Sequence, residues 1–207
     1  MEPPSKALAH LTGDDYERGL LGYLRKLFHF LEADFDFKEV PPTQQSELRF
    51  TNGSTLVVIR SEWEGPLVAL DRAQNPRDAN YGALPLWAIM TVRDSPNLYS
   101  ESMPMIDKFV KWAEVMPKCA SDILRGDFSI EPEVDRLLAE RKAAGEEWER
   151  RLHLDSAISR ASEAFQRQDY ETVVRHLVPL IDQLPRAQAA KLEYAKKQLA
   201  NRVPATD

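Results

Sequence analysis

The residues best suited to act as nucleophile, base or soft metal ligand in this chain are four histidines and one cysteine. His10, His29, His153 and His176 are scattered, with no ligand spacing between them, and His29 reads as a core-edge residue of a helix. Cys119 and His153 form, in principle, a nucleophile and its base. They fall on separate predicted helices without a local signature, so a buried thiol filling a helical gap is the expected role of Cys119. A lone cysteine forbids an intramolecular disulfide and a cysteine metal cluster. The chain has no Gly-rich phosphate loop, no Gly-x-Ser-x-Gly elbow and no His-Glu-x-x-His pair. No catalytic residue, metal or cofactor is therefore expected, and the reading is not an enzyme.

The remaining chemistry is carboxylate chemistry. Glu62 and Glu64 flank Trp63 at a turn between two predicted strands. Paired acids beside an aromatic serve acid–base chemistry on sugars, but in an extended segment both point to one side and stay wet. The same cluster fits an interface anchor in a charged rim, provided that Trp63 is not folded down onto the sheet. Asp71, Arg72, Asp78 and Tyr81 fall on or beside loops of the same half, as do Trp87, Arg93 and Asp94. Glu62, Trp63, Glu64, Asp71, Arg72, Asp78 and Tyr81 are thus the candidate binding residues.

These residues are carried by a sequence of ordinary globular composition: 43% hydrophobic, 29% charged, net charge −6, pI near 5.4. The acid is unevenly spread. Residues 1–103 hold ten Lys/Arg against fifteen Asp/Glu, and residues 104–207 hold seventeen against eighteen. The balance disfavours nucleic acid, because no basic stripe is available to neutralise phosphates. An acidic first half suits a basic protein partner, although acidity is also the commonest route to solubility. The first twenty residues lack a basic start followed by an apolar core. No apolar run approaches the roughly 20 residues that span a bilayer. A cytoplasmic protein without membrane partners is the expectation.

The elements that must position the candidates follow from periodicity. From Tyr16 to Leu31, apolar residues recur at three- and four-residue steps, which predicts an amphipathic helix ending near Ala33. A short strand is predicted over Phe35 to Val40, stopped by Pro41 and Pro42. Leu48 to Thr51 and Ser54 to Ile59 flank Asn52-Gly53, the strongest short-range hairpin signal, read as a tight type I′ turn with positive φ at both residues. The second arm is apolar on both faces and should be an interior strand. Leu67 to Leu70 makes a fourth strand. Residues 82–92 fit either a fifth strand or a short helix opened by Pro85, with helix preferred.

Beyond Met103 the pattern is helical. A helix opened by Pro104 should kink or restart at Pro117 and end at the Gly126 stop. Glu131 to Leu152 reads as a long, charged, solvated helix with Val134, Leu137, Leu138, Trp148 and Leu152 as apolar positions. The tail, Ala157 to Leu199, reads as a helical hairpin or three short helices that bend near Asp169 and Pro185. Ala161, Ala164, Tyr170, Val173, Leu177, Leu180 and Pro185 match the small, aromatic and terminal-proline positions of one tetratricopeptide (TPR) unit, with Gln168 and Val173 replacing its usual glycine and small residue. One repeat makes no solenoid, so an antiparallel helix pair is expected. The predicted fold class is α+β: an N-terminal helix on an antiparallel sheet of about four strands (residues 1–103), then an all-helical half with a TPR-like hairpin (residues 104–207).

The order of these features resembles a known group. A leading helix ending in Glu32-Ala33-Asp34-Phe35-Asp36-Phe37-Lys38-Glu39 precedes the Asn52-Gly53 hairpin and an apolar strand closed by Asp71-Arg72. A helix then runs into Ile123-Leu124-Arg125-Gly126-Asp127-Phe128-Ser129. Over residues 14–130 this is similar to small bacterial proteins of immunity type that accompany polymorphic toxins. The resemblance implies a cytoplasmic protein that binds and blocks a basic toxin domain through a charged surface. The alternative expectation is a scaffold or adaptor subunit of a bacterial assembly that docks through its helical tail.

Overall fold

The computed structural model describes residues 13–62, 65–74, 83–95 and 103–202, with residues 13, 14, 62, 65 and 202 described in backbone alone. The chain is α+β and divides into two compact units, Met1–Ala139 and Glu140–Asp207.

In the first unit, helix α1 (Gly13–Leu27) and helix α2 (Phe30–Phe35) replace the single predicted helix. The break is a tight turn in which Leu31 N–H and Glu32 N–H donate three residues back, to Phe28 O and His29 O. Leu20, Leu24, Phe28 and Leu31 still form one buried stripe across it. Phe35 belongs to α2 and not to the strand predicted for it. Asp36 takes a left-handed conformation (φ 58°) as the helix cap, and Phe37 N–H donates to Leu31 O at 3.1 Å. Strand β1 is therefore only Lys38–Val40.

Strands β2 (Glu47–Thr51), β3 (Thr55–Glu62), β4 (Gly65–Arg72) and β5 (Leu84–Pro85) complete an antiparallel meander in the order β1-β2-β3-β4-β5. The register sets Phe50 opposite Val57 and Val57 opposite Leu70, and likewise Leu48 opposite Ile59 and Ile59 opposite Val68. All six are buried in one core with α1. Leu56, Val58 and Ala69, which alternate with them, are also buried, so β3 is covered on both faces as its sequence requires. The ambiguous segment 82–92 does both things. Leu84–Pro85 adds a fifth strand, and helix α3 (Leu86–Val92) starts at once behind Pro85, whose φ of −68° suits a helix threshold.

The hairpin is present, but its tip is not the tight I′ turn. Thr51 pairs with Leu56, and of the tip residues Asn52 and Gly53 only Gly53 has positive φ (+87°). Asn52 instead closes the turn with its side chain, as Oδ1 accepts from Ser54 N–H (3.1 Å) and Thr55 N–H (2.9 Å).

Helix α4 (Met105–Cys119) runs through Pro117, and the chain restarts at helix α5 (Ser121–Leu124) after Ala120 leaves helical geometry. The restart thus comes four residues after the proline. A proline in the last turn removes a single interior bond, which α4 tolerates. α5 stops at Gly126 as predicted. Gly126 (φ +92°) donates to Ile123 O and Asp127 to Asp122 O, the two bonds of a Schellman cap.

Ile106, Phe109, Trp112 and Met116 of α4, Ile123 and Leu124 of α5, and Val134 of helix α6 (Glu131–Gln166) are buried in the same core as the sheet. A boundary after residue 103 would cut this core. Burial ties residues 104–139 to the sheet unit, and the division falls after Ala139.

The second unit holds the remainder of α6, helix α7 (Tyr170–Leu177), a 3-10 turn (Val178–Gln183) and helix α8 (Arg186–Arg202). The predicted bends near Asp169 and Pro185 are present, but residues 157–166 belong to α6 rather than to a separate tail helix. The small side chains Ala161 and Ala164 of α6 share a core with Tyr170, Val173, Leu177, Leu192 and Ala195. Helices α7 and α8 thus close a small core against the end of α6.

Candidate functional site

Of the seven predicted binding residues, Trp63, Glu64, Asp78 and Tyr81 lie outside the described residues, as does the side chain of Glu62. Asp71 and Arg72 are both described, and the structure separates them. Consecutive residues of a strand project to opposite faces. Asp71 is 5% exposed on the face of Leu56 and Ala69, and its Oδ1 accepts from the Arg72 N–H at 2.7 Å. Arg72, opposite Thr55, turns to the other face and is half exposed.

Arg72 lines an open cleft of about 310 Å³ with Ser54, Gln74, Gly126 and Phe128. The cleft forms because the hairpin tip docks onto the C-terminus of α5. Asn52 Nδ2 donates to Leu124 O (2.8 Å), and Thr55 Oγ1 donates to Ile123 O (2.6 Å), so carbonyls at the helix end are satisfied from another element. The approach is close at Gly126, where a Cβ would lie 2.9 Å from Ser54 Cβ. The Arg72 guanidinium lies over the Phe128 ring (4.6 Å to the centroid), and Nη2 donates to Glu131 Oε2 at 2.8 Å. Stacking and the ion pair hold it in place, and the cleft offers a rigid donor to a carboxylate or carbonyl.

A second charged group is buried on the opposite sheet face. Glu47 is 2% exposed, and its Oε1 accepts from Thr43 N–H and Thr43 Oγ1, both at 3.0 Å. Arg49 Nε (3.7 Å) and Arg60 Nη1 (3.9 Å) stand beside it. Hydrogen bonds from its own loop and the two nearby arginines thus surround this buried carboxylate.

Burial pushes the Cys119 thiol up to about 11, against the opposing pull of Arg93, so the group is protonated at neutral pH. Arg93 itself pairs with Asp122. Burial raises the Asp122 carboxyl, but bonds from Arg93 and the Ile123 backbone outweigh it and hold the group below the usual carboxylate range. His29 is not the core-edge residue expected: its side chain is exposed, with Nδ1 3.2 Å from Glu32 Oε2, and His10 lies outside the described residues. Among the described residues no cluster of three His, Cys, Asp or Glu is placed to hold a metal ion, and no helix is long and apolar enough to cross a membrane.

The residues that the sequence reading did not single out lie on α6. The five apolar positions expected over residues 131–152 split in two. Val134 is buried, and Leu137 and Leu138 pack against the first core. Trp148 and Leu152 are 64% and 54% exposed, within a run (residues 141–153) that is exposed throughout. Their spacing of four on an otherwise charged segment was the available signal. Two further exposed apolar residues, Val178 and Ile181, sit on either side of a kink at Leu180 (φ −117°) in the 3-10 segment. No protein-family model, curated protein or solved structure matches this chain.

Proposed function

We propose that the chain is a non-enzymatic binding protein of the immunity or inhibitor type, which captures a basic protein domain on the acidic surface of its first unit. One observation carries this reading. Once the boundary is moved to Ala139, the first unit holds fifteen Lys/Arg against twenty-two Asp/Glu, and the second holds twelve against eleven. The whole negative charge of the chain thus belongs to the unit with the sheet and the Arg72 cleft. A unit with a net excess of seven acidic residues (22 − 15) steers an oppositely charged partner and raises its association rate, an effect that salt weakens. The test is co-expression with the toxin-like product of the adjacent gene. A complex whose association slows with ionic strength, together with protection of the host, is expected; no complex and no protection would overturn the reading.

A second reading is a scaffold subunit that docks through the helical hairpin, and the exposed pair Val178 and Ile181 favours it. Replacing both by Ser should abolish docking while leaving capture of a basic domain unchanged. Retention of all partners by that variant would remove this reading.

A further inference from the structure

Gly145 stands in the interior of α6, in the fully exposed run. Glycine there costs about 1 kcal/mol relative to alanine. A Cβ at Gly145 would meet open space, so nothing among the described residues requires the gap. One turn on is Trp148, followed a further turn on by Leu152, both more than half exposed. At helical spacing Arg141, Gly145, Trp148 and Leu152 fall on one stripe. Lys142 and Glu149 flank that stripe on one side, and Glu140 and Arg151 on the other.

The stripe is complementary to itself. Turned antiparallel about a two-fold axis between Glu146 and Glu147, two copies set Trp148 of one level with Gly145 of the other. Leu152 then lies level with the aliphatic stem of Arg141. In an antiparallel helix pair each flank meets the same flank of its mate. Lys142 therefore comes within two residues, about 3 Å along the axis, of the level of Glu149 of the second copy, and Glu140 as near to that of Arg151. The two-fold axis repeats each contact, giving two Trp–Gly contacts and four opposite-charge pairs.

We propose that this face of α6 pairs with the same face of a second copy of the chain, with Trp148 seated in the notch left by Gly145. The apolar centre supplies the affinity and the flanking charges set the antiparallel register, because a parallel or shifted pairing loses the Lys142–Glu149 match. This interface is separate from the acidic unit that carries the binding reading above, so either stands without the other.

The test uses the full chain and measures molar mass by light scattering and sedimentation over a range of micromolar concentrations. A concentration-dependent dimer is expected. W148A should leave a monomer with unchanged helicity. K142E should weaken the dimer about tenfold, since two opposite-charge contacts become repulsive, and K142E/E149K should restore it. G145L separates pairing from folding. It raises the helix propensity of an exposed site, so the fold should be at least as stable while the filled notch dissociates the dimer. A wild-type chain that stays monomeric across the range would overturn the proposal. So would a dimer indifferent to W148A and G145L, or a charge swap that fails to restore pairing.

Discussion

The side chain of Asn52 uses both of its polar atoms. Oδ1 accepts from two N–H groups inside the hairpin tip, and Nδ2 donates to Leu124 O, with a longer contact to Phe35 O (3.4 Å). One residue therefore shapes the turn and ties it to α5. N52A should lower stability by about 2 kcal/mol in urea unfolding, since it leaves the Leu124 carbonyl and two turn N–H groups short of partners. N52D keeps the Oδ1 that accepts both turn bonds and replaces the donor by a charged oxygen facing the Leu124 carbonyl. Wild-type stability of N52D would show that the tie to Leu124 contributes nothing. The sequence marked Asn-Gly as a turn but pointed to the wrong type, I′, because the choice depends on a helix end 72 residues away. Arg72 teaches the same lesson. Its place at a strand end was legible, whereas Phe128 and Glu131, which hold its guanidinium, come from a distant segment.

At the scale of elements, helix ends follow local chemistry. Gln168 sits at φ 57° where α6 stops, with Gln168 N–H donating to Phe165 O and Asp169 N–H to Ala164 O. The left-handed conformation costs a side-chain-bearing residue about 1 kcal/mol. Q168G should therefore stabilise the helical unit by up to about 1 kcal/mol, read as a raised midpoint in thermal unfolding. Asp169 then caps α7, with Oδ1 accepting from Thr172 N–H at 3.2 Å. Hydrogen bonds from Thr172 hold its carboxyl below the usual range. A depressed folded-state pKa adds stability above the unfolded-state value and loses it as pH falls through the folded one. Acidification should thus weaken the α7 end, and D169N should remove that part of the pH dependence, as followed by circular dichroism. The broken first helix was less legible. Its apolar spacing continues across Phe28 and His29, and only packing against the sheet shows that the stripe survives a change of helix.

At the scale of the molecule, two separate cores stand in one chain. Each unit with its own core is expected to unfold on its own. Calorimetry should resolve two transitions. L177A, which empties part of the smaller core, should cost about 3 kcal/mol and lower only one of them. A single transition shifted as a whole would show that the units unfold together.

The sequence by itself determined what depends on near neighbours. It carried the α+β class, the antiparallel hairpin, the interior character of β3, the Gly126 stop, the bends at Asp169 and Pro185, and an acidic first half. Only the tertiary structure decided which apolar residues are core and which are surface. Val134 and Trp148 occupy one helix and read alike, yet one is sealed and the other is open. It also placed the boundary at Ala139 and set Asp71 and Arg72 on opposite faces. The physical reason is that burial depends on chain segments brought together from far apart. Periodicity shows that a face is apolar; what covers it is settled by packing.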